Sequence, residues 1–264
     1  MPAITDADID AIVGHFLQPD RDLFRVLLTA TQPLGGDLAE LGVLYGASAV
    51  LVGESLQDGE TFTVVDLFEG DAADDANAVE NFDSYPGLDQ AAFEDNYRRL
   101  HGVLPVVVKD FSERVTDHAR HGSHRFVHID ASHLYEHVVK DIEAARVLLK
   151  DDGIVVLDDI RQEHTPGVAA AAWQAVTGSG LRPFAITAGK LYATWGDATA
   201  WRQAAQDWVV TTDWSHEVQQ VNGHDLLRVF RPVVLGQSRH PWKKFVPEVA
   251  WPALAGVRRT LGRS

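Results

Sequence analysis

Short apolar runs alternate with amphipathic stretches over most of this chain. Residues 126–129 and 154–157 are largely apolar, β-branched runs, and each ends at an acidic residue. Between them, apolar residues recur at helical spacing: Val138, Ile142, Ala145 and Leu149. A break at Gly153 separates this stretch from the second run. The order predicts a β-α-β unit whose two strands are parallel.

Similar patterns predict the remaining elements. Further strands, including an antiparallel hairpin that turns at Ala188 and Gly189, are expected at residues 37–43, 61–66, 104–108, 181–187, 190–195 and 226–230. A helix is expected from Ser48 to Leu56, and two helices separated by Pro19 are expected over residues 4–31. The alternation predicts one α/β domain, and 264 residues suffice for one substantial core.

The stretch between the second and third predicted strands is strongly acidic. Residues 66–95 contain ten Asp or Glu residues and no Lys or Arg. A segment with so much charge and so few apolar residues is expected to be mobile until something binds it. We therefore predict that residues 66–95 form a lid.

The charge of the chain argues against some partners. Its formal net charge of −15 is expected to repel nucleic acids and phosphate-rich ligands. Residues 238–264 are the exception, because they carry six Lys or Arg residues against Glu248 alone. This basic arm also contains Trp242, Phe245 and Trp251, which need cover. We expect the arm to pack on the acidic body or on a partner subunit, which would make a homo-oligomer.

Composition also bears on location and on metal chemistry. No apolar run approaches the length of a membrane span, and the acidic start MPAITDADID is unlike a signal peptide. We therefore expect a cytoplasmic protein without a membrane span. The chain has no Cys, which excludes disulfides and thiolate metal sites. Any metal must bind through oxygen or imidazole.

Acidic residues mark the ends of the two parallel strands described first. Asp130 follows the first strand, and Asp158 and Asp159 follow the second. Neighbouring parallel strands lie about 4.8 Å apart, so these carboxylates are able to share one divalent cation. An Asp at such a position also commonly caps a helix or accepts hydrogen bonds from loop amides. His133 adds an imidazole three residues after Asp130.

The first predicted strand leads into a glycine-containing turn and a helix, a common arrangement for a nucleotide-like ligand. A dinucleotide site uses three glycines in the form G-x-G-x-x-G, whereas only Gly42 and Gly46 are present here. This weakens the prediction of an NAD site. Asp66 ends the second strand and is well placed to accept hydrogen bonds from both hydroxyls of a ribose.

These residues resemble the cofactor motifs of the class I S-adenosylmethionine-dependent methyltransferases. The resemblance covers roughly residues 36–196, and its motif residues occur in the family's order: Glu40, Gly42, Gly46, Asp66, Asp110, Phe111 and Ser112. It implies a Rossmann-like fold with a mostly parallel seven-stranded sheet, a late antiparallel hairpin and helices on both faces. The sulfonium cation of that cofactor suits an acidic rim, which would repel NAD.

The same resemblance implies a division of the chain and a set of cofactor contacts. Residues 1–35 would be an N-terminal helical cover, residues 36–196 the cofactor-binding core, and residues 197–264 a C-terminal extension. The glycine turn would contact the methionine moiety of the cofactor. The acid after the second strand would bind the ribose, and the two residues after the third strand would flank the adenine. From methionine to adenine, the implied contacts are Glu40, Gly42, Gly46, Ser48, Asp66, Asp110 and Phe111.

A closer resemblance is to the metal-dependent sugar O-methyltransferases of the macrolide and aminocoumarin deoxysugar type. Asp130, Asp158 and Asp159 match the magnesium-binding acids of that group. The resemblance implies transfer of a methyl group to a hydroxyl of a small-molecule or oligosaccharide acceptor, helped by magnesium or manganese. His133 stands where some of these enzymes hold their catalytic base. A reference pKa near 6.5 predicts that its imidazole is mostly neutral at pH 7.

Three alternatives stay open. A methyltransferase of phenols or catechols would use the same cation and cofactor with a flat aromatic pocket, for which Trp173, Trp195 and Trp201 are candidates. A non-catalytic protein that binds S-adenosylmethionine is disfavoured, because it would have no use for mutually repelling carboxylates. An NAD oxidoreductase is disfavoured by the missing third glycine.

Overall fold

One sheet runs through the residues that the structure, a computed structural model, describes: residues 3–84 and 88–231. Its strands are β1 (Asp37–Leu41), β2 (Phe62–Asp66), β3 (Val106–Lys109), β4 (His124–Ile129), β5 (Leu149–Leu157), β6 (Arg182–Ile186), β7 (Leu191–Thr194), β8 (Ser215–Val221) and β9 (His224–Phe230). Their order across the sheet is β3-β2-β1-β4-β5-β7-β6-β9-β8. The basic arm predicted at residues 238–264 lies outside the described residues.

The first five strands are parallel and form the region of the sheet that positions the site. β7 pairs antiparallel with both β5 and β6, so the predicted late hairpin is confirmed. Leu41 lies opposite Val65 and Ile129, and Ile129 lies opposite Leu157. The residues that follow these strands therefore meet at one edge. The strand order reverses direction between β1 and β4. Open α/β sheets bind ligands at the carboxyl edge beside such a topological switch point.

Helices cover both faces of the sheet. They are α1 (Asp6–Asp10), α2 (Gln18–Thr31), α3 (Ala49–Glu54), α4 (Asp75–Ser84), α5 (Gln90–His101), α6 (Val115–His118), α7 (Tyr135–Leu148), α8 (Pro166–Gly178) and α9 (Thr199–Val209). Because side chains alternate along a strand, Val64 packs in a core with α2, α3, α5 and α9, whereas Val65 packs in a core with α7 and α8. The predicted α/β class is confirmed. None of these described helices is long and apolar enough to cross a membrane.

The sheet has nine strands in the described residues, whereas the sequence pattern predicted eight and the family resemblance implied seven. β9 corresponds to the predicted last strand, but β8 was not predicted. β8 reads SHEVQQV and is largely exposed at the sheet edge, so it lacks the alternation of a half-buried strand. A turn signal was nevertheless present. Asn222 and Gly223 join β8 to β9 with φ values of 48° and 80°, the positive pair that a type I′ hairpin needs.

Three other details differ from the prediction. Pro19 lies in the first turn of α2 and does not separate one helix from another, because a proline there lacks only an N–H that the helix would leave unpaired. Gly153 lies inside β5, where an added Cβ would be 2.8 Å from the carbonyl oxygen of His124. Some of the acidic stretch forms the helix α4.

Candidate functional site

A cleft of about 660 Å³, counting the space that is open to solvent, lies at the carboxyl edge of β1, β2 and β4, and we call it the large cavity. Three of the predicted cofactor residues line this cavity: Gly42, Asp66 and Phe111. The acidic stretch supplies a section of the wall: Leu67, Phe68, Asn77 and Leu88. Closure of this stretch as a lid stays a prediction.

The turn after β1 requires glycine because two backbone segments cross there. Gly42 has a φ of 78°, and an added Cβ would lie 2.1 Å from the carbonyl oxygen of Asp130. Leu44, Phe68 and Asp159 also have positive φ values, of 48°, 47° and 53°. These three residues follow β1, β2 and β5. Backbone strain is thus found at the carboxyl edge, as is common at functional sites.

Asp66 ends β2 and is buried beside the cavity. Its Oδ2 accepts hydrogen bonds from the N–H groups of Val43 (2.7 Å) and Leu44 (3.3 Å), and its Oδ1 accepts one from Phe68 (2.7 Å). Burial raises the pKa of Asp66, although these bonds oppose the rise. A carboxylate has about four acceptor positions, so about one is left for a ribose hydroxyl, where two hydroxyls were predicted.

Glu40 does not line this cavity. Its side chain is fully buried, and its Oε1 accepts a hydrogen bond from the Ser48 hydroxyl and lies 3.0 Å from Nδ1 of His128. Burial raises the pKa of Glu40 to about 8, so its carboxyl group is mostly protonated at pH 7. Glu40 therefore supplies no negative rim. It supports the glycine turn through Ser48.

Gly46 and Asp110 also lie away from the cavity lining. Gly46 has a φ of 93°, and an added Cβ would be 3.0 Å from the ring of Phe93. Asp110 follows β3, but its carboxylate lies 3.0 Å from Nε2 of His118 and accepts the N–H of Phe111 at 2.9 Å. The contact with His118 lowers the pKa of Asp110. Of the predicted adenine pair, the structure brings only Phe111 to the cavity.

Two of the predicted metal-binding acids meet an imidazole that was not predicted. Each of His128, Asp130 and Asp158 has one atom that could bind a metal, and these three atoms lie within 4.8 Å of one another. We call these three residues the cation cluster. Burial and the nearby carboxylate of Asp158 raise the pKa of Asp130. A cation between the two carboxylates would relieve this repulsion.

Asp130 is also where separate cavities adjoin. It lines the large cavity and a second one of about 310 Å³, which Phe16, Ser48 and Lys190 also line. A ligand in the large cavity and a ligand in the second cavity would therefore both reach Asp130.

A buried lysine lies within the cation cluster. Lys190 is in the β6–β7 turn and forms an ion pair with Asp158. Its Nζ is 2.9 Å from Nε2 of His128 and 3.9 Å from Oδ2 of Asp130. Burial opposes the charge of Lys190, but Asp158 and Asp130 outweigh burial and raise its pKa. Burial and the charge of Lys190 lower the pKa of His128, so His128 is neutral.

Asp159 contacts His133 beside this cluster. Oδ2 of Asp159 is 2.9 Å from Nε2 of His133, and Oε1 of Glu80 on α4 is 3.0 Å from Nδ1. Glu80 also accepts hydrogen bonds from the His133 N–H (2.6 Å) and the Ser132 hydroxyl (2.7 Å). Burial opposes protonation, yet the two carboxylates raise the pKa of His133 to about 10. His133 is therefore protonated at pH 7, and the expectation of a mostly neutral imidazole is wrong.

The carboxylates suit a hard divalent cation. Asp130 and Asp158 offer the oxygen ligands that magnesium and manganese prefer. Asp159 was predicted as a third ligand, but it is not in the cation cluster, because its carboxylate is turned toward His133. The structure thus brings two of the three predicted acids together.

Several site residues escaped the sequence analysis. Glu80 and Lys190 come from α4 and from the hairpin turn, far from Asp130 in sequence, and no local pattern marks them. His128 did have a signal, because it is an imidazole in an otherwise apolar strand two residues before Asp130. His137 was also passed over, yet it lines the large cavity.

The tryptophans considered for an aromatic pocket line none of these cavities. Trp201 is a buried residue of α9, and its Nε1 donates a hydrogen bond to the backbone oxygen of Asp152 (3.0 Å). Trp195 follows β7, which runs antiparallel to β5 and so ends at the opposite edge of the sheet. Trp173 lies on α8 and packs, partly buried, against the core formed with α7 and α8.

One protein-family model matches the central region of the chain. Residues 39–160 match a family model described as a methyltransferase domain. No curated protein matches the chain significantly.

Solved structures share the fold at low sequence identity. A Corynebacterium glutamicum protein is 16% identical, with a TM-score of 0.54 over 74% of this chain and 92% of its own. The O-methyltransferase NovP is 18% identical, with a TM-score of 0.54 over 67% and 81% of the two chains. An O-methyltransferase from Bacillus cereus in complex with SAH is 14% identical, with a TM-score of 0.51 over 72% and 91%.

Proposed function

We propose that this chain is a class I S-adenosylmethionine-dependent methyltransferase, and that it methylates a hydroxyl of a sugar or glycoside in a reaction that needs magnesium or manganese. The observation that carries the proposal is the position of Asp130. It belongs to the cation cluster and lines both the large cavity and the second cavity. We assign the cofactor to the large cavity and the acceptor to the second, so that the methyl group passes between them beside Asp130.

The cofactor contacts in this proposal are those that line the large cavity. Asp66 accepts a ribose hydroxyl, and Phe111 packs on the adenine. The methionine moiety lies at the turn of Gly42, where the absence of a side chain permits close approach. Glu40 and Ser48 hold that turn from behind through their hydrogen bond.

We assign the metal to the carboxylates of Asp130 and Asp158, with Asp159 as a further ligand when it turns from His133. A bound divalent cation would act as a Lewis acid and lower the pKa of a coordinated sugar hydroxyl. The chain's own contribution is to aim two oxygen ligands from adjacent strands at one position.

His133 is the proposed general base. It must be unprotonated to act as a base, and its two carboxylate partners control its protonation. In the described arrangement Asp159 and Glu80 keep the imidazole protonated. When Asp159 turns away from His133, one of these negative charges is removed and the pKa of His133 falls. In the described arrangement Nε2 of His133 is 2.9 Å from Asp159. Once Asp159 has turned away, Nε2 is able to accept the proton of the sugar hydroxyl.

A sugar acceptor is favoured over a phenol by the surroundings of Asp130. Lys190, Asp158 and Asp130 offer several hydrogen-bonding groups, which suit a polyhydroxyl ligand. A flat aromatic pocket would need stacking partners, and the three tryptophans proposed for one line neither cavity.

The test is a methyl-transfer assay with glycosides and catechols as competing acceptors. We expect transfer to a glycoside hydroxyl and tighter binding of S-adenosylhomocysteine than of NAD. Transfer to catechols alone would favour the phenol alternative. Binding of S-adenosylhomocysteine without transfer to any acceptor would favour the non-catalytic alternative. Tighter binding of NAD would contradict the cofactor assignment.

A further inference from the structure

Lys190 occupies the place that a bound cation needs. Its ammonium group is within 4 Å of a ligand atom of each residue in the cation cluster, namely His128, Asp130 and Asp158. Its side chain is only 2% exposed. A divalent cation there would compete for the same oxygens, and it would repel an ammonium group left beside it.

Aromatic packing supports the ammonium in this position. Nζ of Lys190 lies 5.5 Å from the centre of the Phe16 ring and 5.8 Å from that of Phe24. Both distances fall within the approximately 6 Å over which a cation is attracted to an aromatic ring. The position of Lys190 is therefore supported by contacts outside the cluster.

A second buried carboxylate lies near the same turn and has a free acceptor. Asp20 on α2 is 1% exposed, and its Oδ1 accepts hydrogen bonds from the hydroxyls of Thr187 and Tyr192, both at 2.7 Å. Its Oδ2 is buried and has no hydrogen-bond partner among the described residues. A buried acceptor without a donor is costly and uncommon.

Gly189 lies between the two carboxylates. A Cβ built on Gly189 would be 3.5 Å from Oδ1 of Asp158 and 3.5 Å from Oδ2 of Asp20. Because Lys190 is the next residue, its flexible side chain has both carboxylates in its neighbourhood. Asp20 is thus an alternative partner for the ammonium group.

We propose that Lys190 and a divalent cation are alternative occupants of the cation cluster, and that the ammonium group moves to Oδ2 of Asp20 when the metal binds. This inference rests on the proposed function, because it requires a metal at Asp130 and Asp158. It makes Lys190 and Asp20 the residues that set the metal affinity of the site: Lys190 lowers the affinity by competing, and Asp20 raises it by receiving the displaced charge.

The test is calorimetric titration of the full chain with Mn²⁺, which requires no substrate. Lys190→Met should bind Mn²⁺ about 10- to 100-fold more tightly than the wild type, the range typical of residues around a metal site. Lys140→Met is the matched control, because it removes the same charge from a surface lysine paired with Glu113, and its affinity should be unchanged. Asp20→Asn should bind Mn²⁺ more weakly, because the amide nitrogen offers no acceptor to the ammonium.

Equal or weaker binding of Mn²⁺ by Lys190→Met would overturn the inference while leaving the metal site in place. Asp20→Asn keeps Lys190 and the Oδ1 acceptor, so it provides an independent test if Lys190→Met does not fold. Unaltered affinity in Asp20→Asn would also overturn the inference. If Lys190→Met binds Mn²⁺ and the wild type does not, the result would support competition between Lys190 and the metal. It would also contradict the proposal that methyl transfer by the wild type needs a metal. Absence of binding in every variant would remove both.

Discussion

The two halves of the carboxyl edge are built in different ways. Around the large cavity, which we call the cofactor half after its proposed ligand, the backbone sets the shape: Gly42 crosses close to Asp130, and Asp66 accepts hydrogen bonds from three backbone N–H groups. Around the cation cluster, charged side chains from separate segments set the arrangement. Lys190 comes from the hairpin and Glu80 from α4, and both contact residues that follow or belong to β4.

This difference predicts how each half responds to substitution. Hydrogen bonds to backbone N–H groups survive the exchange of a single charge elsewhere. In a network of charged side chains, each group fixes the charge and position of the next, so one exchange alters several groups. Substitutions in the cofactor half should therefore change affinity alone, and substitutions in the cation half should change rate and pH dependence.

The largest effect is expected from His133→Ala. Removal of the proposed base should lower the rate of methyl transfer by about 10² to 10⁴. Binding of Mn²⁺ and of S-adenosylhomocysteine should stay close to that of the wild type, because His133 is not in the cation cluster and does not line the large cavity. Single-turnover rates and two titrations check this. An unaltered rate would move the base to another residue.

A smaller effect, confined to affinity, is expected in the cofactor half. Asp66→Asn should weaken binding of S-adenosylhomocysteine by about 1.5 to 3 kcal/mol, the range for hydrogen bonds to charged groups. Asp110→Asn is the matched control, since that carboxylate faces His118, and its affinity should be unchanged. Calorimetry measures both. If Asp110→Asn weakened binding as much as Asp66→Asn, Asp110 would also contact the cofactor, as the family resemblance implied.

The smallest effect is expected from Glu80→Gln, and it appears in the pH dependence of the rate. Asp159 and Glu80 raise the pKa of His133 in the described arrangement. Because a base works when it is unprotonated, the rate of methyl transfer should rise with pH. Removing the charge of Glu80 lowers the pKa of His133. The rise should therefore move to lower pH by about one unit or more.

Asp75→Asn is the control for that shift, because Asp75 is an exposed acid on the same helix. Its pH–rate profile should match that of the wild type. A Glu80→Gln profile that does not move, or that moves to higher pH, would show that Glu80 does not hold the proton on His133.

The backbone-built half of the site was the more predictable from sequence. Gly42 and Asp66 occur at fixed distances from apolar runs, and strand periodicity alone brings them to one edge. The sequence also predicted the late hairpin and the adjacency of Asp130 to Asp158. It could not predict that the carboxylate of Asp110 turns to His118, because a side-chain rotation leaves no pattern in sequence.

The side-chain network was largely invisible to sequence analysis. Glu80 lies 53 residues before His133, and Lys190 lies 62 residues after His128, so each contact depends on the completed fold. The protonation of His133 could not be predicted either, because a reference pKa contains no information about two carboxylates brought in by folding. β8 was missed for a different reason, since an exposed polar edge strand has no apolar alternation to detect.

The measurement that tests the central claim most directly is the methyl-transfer rate of metal-stripped enzyme as magnesium is added back, for the wild type and Asp158→Asn. Asp151→Asn, an exposed acid at the other end of β5, is the control. We expect no transfer in EDTA, recovery with magnesium or manganese in the wild type and Asp151→Asn, and little recovery in Asp158→Asn. Full activity of the wild type in EDTA would contradict the account.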